Sequence, residues 1–183
     1  MKILTIPNTT LSQKANNVKN INKSLLSFIK EMKITLNKTA DPVGVGLAAC
    51  QVGNPISIFI MKPTTKSQIS VFINPKIINK QNCHKPEKKT SKNKNIEKLE
   101  GCLSIPTIWG TVKRSDEITV EFMDEFGKQH TNNFEGFKSI IIQHEIDHLN
   151  GILFTHRVLE QKGELYKSSR NKNNEEIFEK IEL

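Results

Sequence analysis

The chain has 183 residues, 36% hydrophobic and 25% charged, with a formal net charge of +8. That length supports one domain with its own core, and no stretch approaches the roughly 18 consecutive apolar residues of a membrane span. Three cysteines (Cys50, Cys83, Cys102) and no secretory pattern in residues 1–7 argue against a disulfide framework and point to the cytoplasm.

In chain order, Ile21, Leu25, Phe28, Ile29, Met32 and Leu36 recur every three or four residues, which predicts an amphipathic helix over 21–36. Asp41-Pro42 ends that region, and a Gly44-Val45-Gly46 turn follows. Residues 56–61 and 69–73 are short runs rich in β-branched and aromatic side chains and read as strands, the second broken by Asn74-Pro75. Residues 79–98 carry no hydrophobic period and read as an irregular loop. Seven lysines against Glu87 and Glu97 give residues 80–98 a net +5, a solvated run or a surface for RNA phosphates. Residues 117–123 alternate as a strand, Asp124-Glu125-Phe126-Gly127 is a hairpin turn, and 128–134 return antiparallel. Residues 137–149 are apolar on several faces, so they predict a buried helix, stopped by Asn150-Gly151. The tail, 158–183, is polar and reads as helical. Strands early and a buried helix late define an α+β domain.

The sharpest signal lies on the buried helix: His144-Glu145-Ile146-Asp147-His148. Residues i and i+4 share a helix face, so both imidazoles can reach one ion, and Glu145 stands where it can take a proton from a water acidified by that ion. A catalytic site needs a third protein ligand and an open position. Zinc peptidases with this pentad take the third ligand downstream, but the position of a third His is Phe154, and Glu160 and Glu164 sit closer than the glutamate-using pattern prefers. Upstream, Cys102 in Glu100-Gly101-Cys102-Leu103-Ser104 offers a thiolate in a turn.

Three separated segments together resemble the peptide deformylase family. Gly44-Val45-Gly46-Leu47-Ala48-Ala49-Cys50-Gln51 is similar to its Gly-x-Gly-Leu-Ala-Ala-x-Gln motif, Glu100-Gly101-Cys102-Leu103-Ser104 is identical to its second motif, and Gln143-His144-Glu145-Ile146-Asp147-His148-Leu149 with Gly151 matches its third. The resemblance implies small antiparallel sheets packed around the helix that carries the histidines, in a catalytic domain over 1–157 with a basic insertion near 79–98. It implies a divalent ion held by Cys102, His144 and His148, natively Fe²⁺ in many members, with Zn²⁺, Ni²⁺ or Co²⁺ accepted. The substrate implied is the N-formylmethionine end of a nascent chain, hydrolysed to formate and a free amine. Glu145 would act as general base and then acid, while Gln51 and the backbone N–H of Leu103 donate to the formyl oxygen. Gly44 and Gly46 would let backbone approach the peptide, and Val45, Phe137, Ile140 and Ile141 would wall the methionine pocket. Glu100 would orient the ligands from behind, paired with Arg114.

The expected partners are the formylated nascent peptide and the ribosome, contacted through loop 79–98 or the C-terminal tail, with neither DNA nor membrane involved. The chain is expected to act as a monomer in the cytoplasm. The tail balances six basic residues against six glutamates from Arg157 onward, so the loop is the stronger candidate for the ribosome. Two other readings stay open at this point: a metallopeptidase that uses a downstream Glu and dispenses with Cys102, and an RNA-associated module with a closed structural metal that needs neither Glu145 nor Gln51.

Overall fold

The computed structural model describes residues 1–40, 42–81, 99–173 and 175–182. The expected helix is α1, Lys23–Lys38, which starts two residues later than the periodicity suggests because Asn22 caps it: its side chain accepts from Leu25 N–H at 2.9 Å. Five strands form one antiparallel sheet: β1 (Gly46–Ala48), β2 (Ile58–Met61), β3 (Ser70–Gln81), β6 (Glu117–Met123) and β7 (Gln129–Glu135), in the order β1-β2-β3-β6-β7. The hairpin β6–β7 pairs Glu117 with Glu135 and Met123 with Gln129, as the alternation predicts.

Strand β2 is buried at every position, which explains its unbroken Ile-Phe-Ile-Met run. Ile58 and Ile60 join Ile29, Met32 and Leu36 of α1 in one core, while Phe59 and Met61 join Phe72 and Phe122 in the core on the opposite face. Phe59 and Phe72 stack with ring centroids 4.4 Å apart. Helix α2 (Phe137–Leu149) packs into the second core through Ile141, Ile142 and Leu149.

The expected strand at 69–73 is longer than the sequence suggests, because Asn74-Pro75 does not end it. The β3–β6 pairing shifts register between Ile73 and Lys76, so the proline, which has no N–H to give a ladder, sits at a bulge. Asn74 occupies the left-handed region at φ 51°, and its side chain both accepts from Val18 N–H and donates to Val18 C=O at 2.8 Å. The expected loop therefore begins later: residues 79–81 belong to β3, and 82–98, including Cys83, lie outside the described residues.

A second sheet, unread in the sequence, orders β4 (Leu99–Cys102), β5 (Ile105–Thr111), β8 (Leu165–Arg170) and β9 (Glu176–Ile181) as β4-β5-β8-β9. Here the expectation of a helical tail over 158–183 is corrected. Helix α3 covers only Phe154–Glu160, and Leu165–Arg170 and Glu176–Ile181 pair as a β-hairpin. Its Lys and Glu residues suit a helix locally, but β5 offers an edge, and β8 pairs with it from Ile108 to Gly110 while burying Leu165. Asn171 turns the hairpin, its side chain accepting from the N–H groups of Asn173 and Glu175. Cys102, Ile105, Leu153, Phe154, Val158 and Leu165 form a third core between this sheet and the helices.

Candidate metal centre

Helix α2 presents His144 and His148 on one face, ring centroids 5.0 Å apart. Strand β4 delivers Cys102 at a register shift after Gly101, where the chain turns into β5 and Ser104 N–H donates back to the sulfur at 3.4 Å. Cys102 Sγ lies 3.2 Å from His148 Nε2, and one donor atom from each of Cys102, His144 and His148 lies within 4.8 Å of the others. Glu100 Oε2 sits 3.0 Å from His144 Nδ1, which turns the other ring nitrogen toward Cys102.

The charges suit a cation. Burial alone would raise the Cys102 thiol, but the neighbouring His148 and hydrogen bonds from both histidines outweigh it and hold the group well below an ordinary thiol. Burial would likewise lower His144, yet its bonds to Cys102 and Glu100 hold it well above an ordinary imidazole. A sulfur drawn toward thiolate, facing a ring that favours positive charge, is the environment a divalent ion satisfies. Cys50 differs: burial pushes its thiol up to about 12, and Sγ donates to His148 C=O away from the three donors, so it is a packing residue.

Glu145 is buried beside the cluster. Burial, opposed by the two histidines, raises its carboxyl to about 7, and Oε2 has no hydrogen-bond partner among the described residues; His148 Nδ1 is the other buried atom left so. Gly46 stands against this carboxylate, because a methyl group there would fall 2.8 Å from Glu145 Cδ. The expected contact of Gly46 with peptide is thus joined by a tighter one with the acid. Gln51 lies in the 3-10 turn Ala49–Val52; its Oε1 accepts from Ala48 N–H at 2.8 Å, which fixes the amide so that Nε2 donates to Ser104 Oγ at 3.1 Å and lies 3.6 Å from Cys102 Sγ. Leu103 is the turn residue after the sulfur, its side chain half-buried against the α1 core.

Behind the histidines runs an ion network. Arg114 donates through Nε and Nη2 to the two Glu100 oxygens at 2.8 and 2.9 Å, and through Nη1 to Asp147 at 2.5 Å. Asp147 also accepts from Arg157 at 2.7 and 3.1 Å. Burial would raise both carboxyls, but the guanidinium groups, with His144 assisting at Glu100, hold them below the usual range. The sequence assigns Ser104 and Arg157 no role here and points Asp147 only to a local hydrogen bond rather than to the metal, whereas it pairs with two arginines. The available signal was a charged residue, Asp147, on a helix with no polar side, which demands a partner.

Of the methionine-pocket candidates, Ile140 is half-buried on α2 beside Ile141 in the chain. Ile141 is buried in the α2 core with half-buried Val45 beside it, whereas Phe137 is 54% exposed at the start of α2, near Pro63. The downstream carboxylates of the peptidase reading are engaged elsewhere: Glu160 with Arg157, Glu164 with Tyr166 and Lys180, and Phe154 stacks near His144.

An α+β scaffold that sets one sulfur, two imidazoles and a buried carboxylate around a common point defines a metal-dependent hydrolase centre. The polypeptide deformylase family profile matches residues 1–164. A peptide deformylase of Pseudothermotoga lettingae is 37% identical over 84% of this chain and 80% of its own length, and one of Wolinella succinogenes is 34% identical over 84% and 85%. The crystal structure of a peptide deformylase from Legionella pneumophila superposes with a TM-score of 0.72 at 35% identity, covering 85% of this chain and 84% of that one. The Thermotoga maritima enzyme gives 0.70 at 31% identity, over 85% and 95%. The chain belongs to the polypeptide deformylase family.

Proposed function

We propose that Cys102, His144 and His148 hold one divalent ion at which the chain hydrolyses the formyl group from the N-terminal methionine of nascent polypeptides, releasing formate. The observation that carries this assignment is the meeting of the Cys102 sulfur with both imidazoles beside the unpartnered Glu145 carboxylate. An ion bound there supplies Lewis-acid chemistry, acidifying a water and polarising a carbonyl. Glu145 accepts the proton of the attacking water and returns it to the leaving amine. Gln51, oriented by Ala48 and Ser104, donates its amide N–H to the oxygen on which negative charge develops, together with the Leu103 backbone N–H. Glu100, held by Arg114, fixes the His144 ring.

The remaining parts of the reading are expectations from family and composition. The ion is Fe²⁺, the chain works as a monomer in the cytoplasm, and the net positive 80–98 segment draws it to ribosomal RNA. No described helix is long and apolar enough to cross a membrane.

Wild-type protein loaded with Fe²⁺, Ni²⁺ or Co²⁺ should release formate from formyl-Met-Ala. Cys102→Ala should lose bound metal and slow formate release by more than about 100-fold, a ligand costing more than an outer partner does. No formate from any loaded form would sink the activity; a Cys102→Ala variant with full metal content would sink the ligand assignment.

Gly46→Ala tests the position of the acid. The added methyl displaces the buried Glu145 carboxylate, so kcat should fall about 10- to 100-fold. Metal content should match wild type. Wild-type kcat in this variant would mean that the carboxylate does not need its present place.

A further inference from the structure

The family match ends at residue 164, yet the β8–β9 hairpin that follows reaches the active site. A cavity of about 720 Å³ opens beside Cys102 and Leu103, and it is lined as well by Trp109 of β5 with Ser168, Ser169 and Arg170 of β8 and Glu176 of β9. That volume suits several peptide residues rather than one side chain, by the general size of ligand sites at roughly 300–1,000 Å³.

The hairpin determines where Trp109 stands. Tyr166 is its cross-strand partner, Ser168 Oγ accepts from Trp109 Nε1 at 3.2 Å, and the Phe178 ring of β9 meets the indole edge-on at 5.7 Å. Held so, the indole lies over Gly101, the residue before the sulfur: a Cβ at Gly101 would come within 2.8 Å of Trp109 Cε3. Gly101 therefore lets an aromatic ring approach the backbone directly beside the metal ligand. Pro42 and half-exposed Val43 add apolar surface to the same cavity.

We propose that the β8–β9 hairpin, by holding Trp109 over Gly101, forms an apolar subsite for the second and third residues of the formylated peptide. This rests on the deformylase reading. A peptide whose formyl group lies at the Cys102 sulfur must continue away from it, and an extended chain advances about 3.3 Å per residue. Trp109 is the cross-strand partner of the residue before Cys102 and lines the cavity that opens at that sulfur, so a peptide leaving the sulfur through this cavity passes the indole. The side chains it favours are aromatic or large aliphatic, because the indole N–H is already taken by Ser168 and the ring offers its apolar face.

The test compares kcat and KM for formyl-Met-Ala-Ala, formyl-Met-Phe-Ala and formyl-Met-Ala-Phe on the metal-loaded enzyme. Wild type should favour one of the phenylalanine peptides in kcat/KM, and Trp109→Ala should reduce that preference about 5-fold, through KM rather than kcat. Phe178→Ala should reduce it in the same direction, and Phe178→Tyr should restore it. Equal preference in wild type and Trp109→Ala would overturn the subsite, as would a Phe178→Ala effect confined to kcat. If Trp109→Ala does not fold, Trp109→Leu serves, with the preference again expected to fall. Absence of formate from all three peptides with wild type would instead overturn the underlying activity, so the two failures are distinct.

Discussion

Arg114→Ala is expected to destabilise the protein by about 3 kcal/mol, the lower part of the range for breaking a buried ion pair. The Arg114 side chain is 7% exposed and satisfies both Glu100 oxygens and one of Asp147. Removing it leaves two buried carboxylates, but each keeps a partner: Glu100 keeps His144, and Asp147 keeps Arg157. Those remaining contacts are why the effect should fall short of the upper limit. Loosening Glu100 also frees the His144 ring, so metal affinity should fall about 10- to 100-fold. Denaturant midpoints of the metal-free protein and metal titrations separate the two consequences. Arg114→Lys should recover little, because an ammonium cannot reproduce the two-pronged contact with Glu100.

The pH dependence follows from the same pairs. Glu100 and Asp147 are held below their ordinary values, so the stability they contribute is present above the unfolded-state values and is lost as pH falls through the lowered, folded ones. Arg114→Ala should let both carboxyls rise and should move acid unfolding to higher pH. Wild-type metal affinity together with an unmoved acid limb would show that the network does not support the histidines.

The chemistry of the centre was more legible than the architecture around it. The pentad on α2 could be read because helical spacing is local: four residues fix the relative direction of two side chains. Cys102 could be offered as a third ligand from its thiol and its turn, and the family motif strengthened the link, but nothing local says that β4 ends beside α2. Strands β4 and β5 escaped notice because Gly101, Pro106 and Gly110 interrupt any apolar alternation. The tail was misread for a different reason. Its charged residues have helical propensity, but the edge of β5 and the burial of Leu165 override it. Arg157 went unread because its partner Asp147 lies ten residues earlier on another helix, and only the fold brings them together.

Glu145→Gln should lower kcat by about 10²- to 10⁴-fold, the usual contribution of a positioned acid–base group. The substitution keeps shape and burial but removes the capacity to accept a proton. Among the described residues, no carboxylate joins the Cys102, His144 and His148 cluster, and Glu100, near His144, is already occupied by Arg114. Metal content should stay at the wild-type level, because Glu145 is not one of the three converging donors. Stability should move the other way from activity. A buried carboxylate with an unpartnered oxygen costs free energy in the folded state, and an amide of the same volume carries no charge to desolvate. The metal-free variant should therefore unfold at the same temperature as wild type or higher, the pattern of a site kept for chemistry at the expense of stability. Glu145→Asp should lie between, retaining a base but drawing it back from the reacting water, with kcat down about 10- to 100-fold. A Glu145→Gln enzyme within tenfold of wild type would place the proton elsewhere, and Gly46 would then have no reason to leave room for this side chain.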